Sequence, residues 1–460
     1  MADPHDSIDR HANRFQEELF DFLSIPSVSA RSEHQTDVRR AAEWYAERCR
    51  ELGLDTAVHE TAGHPIVLAE WRAAPGAPTV LIYGHYDVQP VEPLELWTTP
   101  PFEPVIRDGR LYARGSVDDK GQLYLHLKAI ESHVRTNGKL PVNVVVIAEG
   151  EEEIGSANLM PFVIKHAKRL ACDAVVISDT TMIGPGLPTI GVSLRGLAYL
   201  EVRVHGAAQD LHSGSYGGAV LNPATALAHI IASFHDDNWH ARIPGFYDDV
   251  HAATDFREQI GKLPFDPQRF LAETGAPELV GEAGYSTLER LWIRPTVEIN
   301  GLLSGYTGEG SKTVLPAHAM AKVSCRLVPG QDPDRIAMLL EQHIRAAAPR
   351  GVRVEVDVLH GGKPWRARTE GPLYDAAVAA LEHAFGRKPV FAGEGGSIPI
   401  VPEFENVLGA PVLLMGFGLP GENAHAPDEW MSVENFEKGT HAAAALLGEV
   451  ATHFSAPLSR

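Results

Sequence analysis

Five places in the chain put histidines or carboxylates directly after an apolar run or in a tight loop. His85 and Asp87 follow TVLIYG (79–84). The acidic run EGEEE (149–153) closes VNVVVIAE (142–149). Asp179 follows DAVVIS (173–178). Asp118 and Asp119 stand in ARGSVDDKG (113–121), and His425 lies in NAHAPDE (423–429), beyond APVLLMGF (410–417). Each has an ordinary reading on its own: a loop histidine bonded to a nearby carboxylate, a solvated acidic turn, a helix cap, a strand-end turn residue. Their joint occurrence is harder to explain that way. Converging carboxylates repel, and burying them costs several kcal/mol each unless a cation offsets them. Lys120 and Arg114 are too few for that. Two histidines with several carboxylates suit zinc first, then manganese or cobalt, more than magnesium or calcium. One carboxylate bridging two ions would make a two-metal hydrolytic arrangement.

The elements that must position these residues can be read from periodicity. PIVLAEW (65–71), TVLIYG, VNVVVIAE and DAVVIS are short, continuously apolar and rich in β-branched residues, while GQLYLHLKAIESHV reads as a helix. Strands apolar on both faces and alternating with helices point to an α/β layer. In such sheets ligands gather beyond the carboxyl ends of the strands, where the residues above fall. Before this layer, residues 8–52 are helical in pattern, with a break at Pro26. Near Gly191 the pattern changes. LAYLEVRVHG (197–206), PTVEING (295–301), AHAMAKVSCRLV (317–328) and VRVEVDVLH (352–360) read as strands, with helices expected at 219–233 and from Asp332 to about Ala348. That order is β-α-β-β-α-β, the ferredoxin-like arrangement. A helix (371–385), an apolar strand (410–417) and a final helix (433–453) follow. The fold class expected is α/β, a mixed sheet flanked by helices with an inserted α+β ferredoxin-like domain. Its boundaries are 1–191 and 367–460 for the two parts of the larger domain and 192–366 for the insertion. Residues 236–294, rich in aromatics, proline and glycine, have no readable pattern.

Composition narrows the partners. Forty Lys plus Arg against sixty Asp plus Glu give a net charge of −20, which excludes nucleic acid or an anionic membrane as the main partner. No apolar run approaches the roughly 18 residues needed to span a bilayer, and the first twenty residues have no signal-peptide core. Three widely spaced cysteines, Cys49, Cys172 and Cys325, make no disulfide framework and fit a reducing compartment. A cytoplasmic location is expected.

The motifs GHYDVQP (84–90), ARGSVDDKG, EGEEEIGS (149–156), SDT (178–180), DLHSGSYGG (210–218), KTVLP (312–316), CRLVP (325–329), GGSIP (395–399) and NAHAPDE occur in this order nearly end to end. The set resembles the metallopeptidase family of carnosinase-type dipeptidases, glutamate carboxypeptidase, aminoacylase and succinyl-diaminopimelate desuccinylase. DLHSGSYGG and KTVLP bring it nearest to the cytosolic, carnosinase-like branch. The resemblance implies two divalent metal ions, zinc foremost. His85, Asp118 and Asp179 would hold one, Asp118, Glu153 and His425 the other, with Asp118 bridging. Asp87 would accept the second N–H of His85. Glu152 would be the general base, taking a proton from a water between the ions and passing it to the leaving amine. The inserted domain would be a lid and dimerisation domain, with His212 reaching the partner subunit's site in a homodimer to stabilise the oxyanion. Thr313 and Arg326 would hold a substrate carboxylate, and Ser397 would contact the substrate backbone.

Two departures matter. Glu151 makes a third glutamate, so choosing Glu152 as base rests on the register of EGEEEIGS. Asp179 stands where the carboxypeptidase and deacylase branches tend to carry glutamate, and the resemblance links aspartate there to substrates with a free amino terminus. The activity implied is therefore hydrolysis of short peptides. The alternatives are an amidohydrolase acting on N-acyl or N-carbamoyl amino acids and a non-catalytic metal-bearing scaffold.

Overall fold

The continuously apolar segments form the middle of a mixed sheet. In the computed structural model, which describes residues 3–454, strands run in the order Asp55–His59, Ile66–Trp71, Asn143–Glu149, Thr79–His85, Ala174–Ile177, Val412–Leu414, Thr189–Leu194. The four strands from Asn143–Glu149 to Val412–Leu414 are mutually parallel, and the flanking pairs are antiparallel. Thr79–His85 is buried along its whole length, as a strand covered on both faces must be. Helix Lys120–Asn137 is buried from Lys120 to His133 and packs against helices Pro4–Leu23 and Val433–His453. It ends at Gly138, whose φ of +68° is the left-handed conformation that closes a helix without a Cβ penalty.

The parallel register aligns the chemistry. His85 is the in-register partner of Glu149. Ala174–Ile177 runs parallel on the other side of Thr79–His85 and leads to Asp179. Gly84 must lack a side chain here, because a Cβ would lie 2.6 Å from the Asp119 carboxylate.

By chain contacts two compact units emerge. One comprises 1–192, 367–392 and 400–460; the other comprises 193–366 and 393–399. The second unit has a four-stranded antiparallel sheet in the order Thr296–Ser304, His318–Leu327, Gly196–His205, Arg353–Gly362. Helices Pro223–Ala232 and Pro333–Ala347 pack on it around Leu200, Val202, Val204, Ile230, Val323 and Leu340, which completes the ferredoxin-like order. Alternate residues of Gly196–His205 enter this core, as period two requires. Residues 236–294 contain the short helices Thr254–Ile260, Pro267–Thr274 and Thr287–Trp292.

Three features differ from the sequence reading. The 410–417 run is a strand only over Val412–Leu414, because the Phe417 N–H turns to the Gln122 side chain, at 2.7 Å. Residues 393–399, expected in the 367–460 part, group with the inserted unit. Arg195 holds Gly395 and Gly396 there through its Nε and its backbone N–H, at 2.9 and 3.1 Å. A small sheet of Val105–Arg107, Arg110–Tyr112 and Trp430–Ser432 was not anticipated.

Candidate metal centre

In the larger unit, two groups of ligand-type atoms lie within 4.8 Å of one another: His85, Asp118 and Asp179, and Asp118, Glu153 and His425. Asp118 belongs to both. Its Oδ1 lies 3.1 Å from His85 Nε2 and its Oδ2 2.8 Å from His425 Nε2. His85 Nε2 is 3.8 Å from Asp179, and His425 Nε2 is 3.2 Å from Glu153. His85 is wholly buried at the end of its strand, whereas the His425 side chain is 55% exposed on a loop with φ of +63°.

The supporting contacts fix these groups. His85 Nδ1 lies 3.1 Å from the Asp87 carbonyl and 3.4 Å from its carboxylate. The carboxylate also accepts the backbone N–H groups of Glu152 and Glu153, both at 3.2 Å. Asp87 therefore ties the strand end to the acidic turn as well as orienting the imidazole. Gln89 Nε2 donates to Glu153 at 2.7 Å. The Asp118–Asp119 peptide is cis, and the Asp119 carboxylate accepts the His85 N–H at 3.2 Å.

The three glutamates of the acidic turn separate by partner. Glu151 is buried, and its carboxylate accepts the His64 N–H (2.7 Å), the Asn158 N–H (3.2 Å) and both oxygens' contacts from the Asn158 amide. It is fully engaged in holding loops. Glu153 faces His425 and Gln89. That leaves Glu152 as the base candidate, and its pKa is pushed up to about 9 by burial and by the nearby Asp179, Glu153 and Asp118 charges, against the pull of His85. Burial and the Asp118 charge likewise raise Asp179, to about 7. Asp118 goes the other way: burial raises it, but the hydrogen bonds from His425 and His85 prevail and hold it below the usual range. Burial pulls His85 down, and the Asp118 and Asp87 contacts more than reverse that. Carboxylates pushed apart in this way, around two imidazoles, are a donor set that lacks positive charge and fits divalent ions.

The sequence reading missed Glu429. It is wholly buried and pairs with Arg114 Nη1 at 2.7 Å. It also accepts the N–H groups of Gly115 (3.0 Å), Val117 (3.0 Å) and Asp118 (3.2 Å), so one carboxylate shapes the loop that carries Asp118. The signal available was its place at the end of NAHAPDE, four residues after His425. Lys120, also buried, donates to the Phe22 and Ile25 carbonyls at 3.1 and 2.7 Å.

In the inserted unit, His212 is exposed on the two-residue strand Leu211–His212, in register with Val314, next to Thr313. Its Nδ1 accepts the Gly214 N–H at 3.0 Å, and the Thr313 carbonyl accepts the Ser213 N–H at 3.0 Å. Arg326 Nη1 donates to Ser397 Oγ at 3.3 Å. Arg326, an unremarkable strand residue in the sequence, thus becomes a guanidinium paired with a hydroxyl.

Comparison with known proteins is consistent across the chain. The family model described as Peptidase family M20/M25/M40 matches residues 81–449. The Cys-Gly metallodipeptidase dug1 of Schizosaccharomyces pombe is 32% identical over 97% of this chain and 98% of its own length. Among solved structures, human carnosine dipeptidase 1 superposes with a TM-score of 0.86 at 28% identity, covering 98% of both chains. The M20 family metallo-carboxypeptidase Sso-CP2 of Sulfolobus solfataricus superposes with a TM-score of 0.85 at 34% identity, covering 95% of this chain and 99% of its own.

Proposed function

The chain belongs to peptidase family M20/M25/M40 and is a metallodipeptidase, and from that premise we propose how its residues divide the work. The observation that carries the proposal is the pair of ligand groups sharing Asp118, with Glu152 beside them. His85 and Asp179 would hold one divalent ion and Glu153 and His425 the other, with Asp118 serving both groups. Zinc suits this mixture of imidazole and carboxylate, with manganese or cobalt as alternatives. When bound, the pair of ions supplies Lewis acidity, lowering the pKa of attacking water and polarising the scissile carbonyl.

Glu152 takes the proton from the attacking water and delivers it to the leaving amine. With Glu151 taken up by His64 and Asn158, Glu152 is the carboxylate of the turn left to carry that proton. Asp87 fixes the His85 ring. Arg326 takes the substrate's terminal carboxylate, Thr313 assists, and Ser397 contacts the substrate backbone. His212 acts in the partner subunit of a homodimer as the oxyanion donor. A dimer is favoured by Thr296–Ser304, an edge strand with Leu302 63% and Leu303 55% exposed, since an unpaired apolar edge invites a partner. The three cysteines are free, which fits the cytoplasm.

The deciding experiment compares unblocked dipeptides with N-acetyl and N-carbamoyl amino acids on the metal-reconstituted protein. Turnover of the dipeptides is expected. Turnover confined to the acylated compounds would replace this reading with an amidohydrolase.

A further inference from the structure

A cavity of about 400 Å³ in the inserted unit is lined by Arg195, Arg326, His235, Trp239, Tyr247 and Glu298, among others. Its charge balance is unusual for a chain with a net charge of −20. Two further arginines stand on its wall: Arg290 donates its Nε to the Glu282 backbone carbonyl at 2.9 Å, and Arg294 is neutralised by the Glu282 carboxylate through two contacts at 2.6 and 2.7 Å. Arg195 and Arg326 are not. Among the described residues neither has a carboxylate within 4 Å; Arg195 Nε donates to the Gly395 carbonyl at 2.9 Å and Arg326 Nη1 to the Ser397 hydroxyl at 3.3 Å. Glu298, the carboxylate that acts on Arg195 at longer range, is exposed to solvent.

Arg195 is only 8% exposed. Burial, and then repulsion from Arg326, pushes its pKa down to about 10, so it keeps its charge at neutral pH. Two guanidinium groups that repel one another in a partly desolvated cavity are costly unless an anion completes the site. A single carboxylate supplies one negative charge for two cations. Two carboxylates on one residue match both, and bidentate carboxylate recognition is what the planar fork favours.

We propose that Arg195 is a specificity-determining residue, a second cation beside Arg326 that selects peptides whose C-terminal residue carries a side-chain carboxylate, aspartate or glutamate. This rests on the reading that Arg326 takes the terminal carboxylate of a peptide substrate. Arg326 then faces the α-carboxylate and Arg195 the side-chain carboxylate. The hold of Arg195 on Gly395 and Gly396 keeps it next to Ser397, so the two recognition elements share one support.

The test uses the full-length, metal-loaded enzyme with the matched pairs Ala-Glu and Ala-Gln, and Ala-Asp and Ala-Asn. The acidic member of each pair is expected to have a kcat/KM about ten-fold or more higher, mainly through KM. Arg195→Gln should collapse that ratio while changing Ala-Gln turnover far less, and Arg195→Lys should restore part of it. Equal kcat/KM for Ala-Glu and Ala-Gln in the unsubstituted enzyme would overturn the proposal, as would an unchanged ratio in Arg195→Gln. Calorimetric binding of free glutamate against free glutamine gives a readout without catalysis, and does not need a variant that folds. Tighter glutamate binding supports the two-cation pocket even if neither dipeptide is cleaved, a result that would count against the dipeptidase reading alone. Equal binding of the two amino acids would sink the pocket assignment whatever the peptidase activity.

Discussion

Glu429 and Arg114 are both buried and meet at 2.7 Å, and the same carboxylate accepts the N–H of Asp118. The pair thus couples the interior of the larger unit to the residue shared by both ligand groups. Glu429→Gln leaves the Arg114 charge buried without its counter-charge, a change that costs about 3–5 kcal/mol. It should also loosen the 115–118 loop. Denaturant unfolding should register the loss of stability, and metal analysis should find less than full occupancy. A variant as stable and as fully loaded as the parent would contradict this role.

Glu151 and Glu152 are neighbours with different surroundings, and substitution should separate them. Glu152→Gln should keep fold and metal while kcat falls by about 10²–10⁴-fold, the usual worth of a positioned base. Glu151→Gln disturbs a buried acceptor of several hydrogen bonds, so it should cost about 1–3 kcal/mol of stability with a much smaller effect on kcat. Steady-state kinetics beside thermal melts would distinguish them. Reversed outcomes would exchange the two assignments.

Metal removal should destabilise the larger unit as well as abolish activity. Ions held by the proposed ligand set would bind the folded chain and not the unfolded one, so at 100 times Kd each would contribute about 2.7 kcal/mol. Chelation followed by calorimetry should lower Tm, and restoring zinc, manganese or cobalt should raise it again. The metal giving the highest turnover at stoichiometric loading identifies the working one. A Tm indifferent to chelator would argue against the ligand set.

Acid stability should report on a histidine away from the metals. His126 is buried in helix Lys120–Asn137, with Nε2 2.7 Å from the Ser178 hydroxyl, and burial lowers its pKa to about 4. The unfolded chain therefore takes up a proton between about pH 6.5 and 4 that the folded chain refuses, and stability falls as pH falls through that window. The full effect is on the order of 3 kcal/mol at 1.36 kcal/mol per pH unit. His126→Gln should flatten the pH dependence of urea unfolding over this range. An unchanged slope would show that other groups control it.

The edge strand and His212 make a joint prediction. Replacing Leu302 and Leu303 by glutamate should shift the protein to a monomer in analytical ultracentrifugation and remove most activity, if the proposed oxyanion donor His212 is supplied by the partner. Mixing His212→Ala with Glu152→Gln subunits should recover part of the activity in heterodimers. No recovery from a verified heterodimer would place His212 outside the catalytic path.

The parallel strands and the residues at their ends were legible because physics writes them plainly. Val144 to Ile147 has no polar residue, as double-sided burial demands, and a carboxylate directly after such a run is conspicuous. The ferredoxin-like order was legible from period-two alternation. Other parts were silent. Three-residue strands such as Arg110–Tyr112 are too short to show a period. The attachment of Gly393–Pro399 to the inserted unit depends on Arg195, two hundred residues away in the chain. Glu429 closes the NAHAPDE motif, but its task could not be read there, since its partners lie more than three hundred residues upstream. Among the glutamates at 151–153, the motif register chose the base, but only the contacts of Glu151 with His64 and Asn158 say why its neighbour is left free for chemistry.

The contrast between the two histidines has a kinetic consequence. His85 is sealed at the end of a central strand, while His425 stands half in solvent on a loop. In the proposed arrangement, exchange of the ion at the His425 position needs only local loop opening, whereas release at the His85 position needs the end of a central strand to move. Under limiting chelator the two ions should therefore leave in sequence, passing through a half-loaded species that retains the His85 ion, and an added competing metal should populate mixed-metal molecules in a defined order.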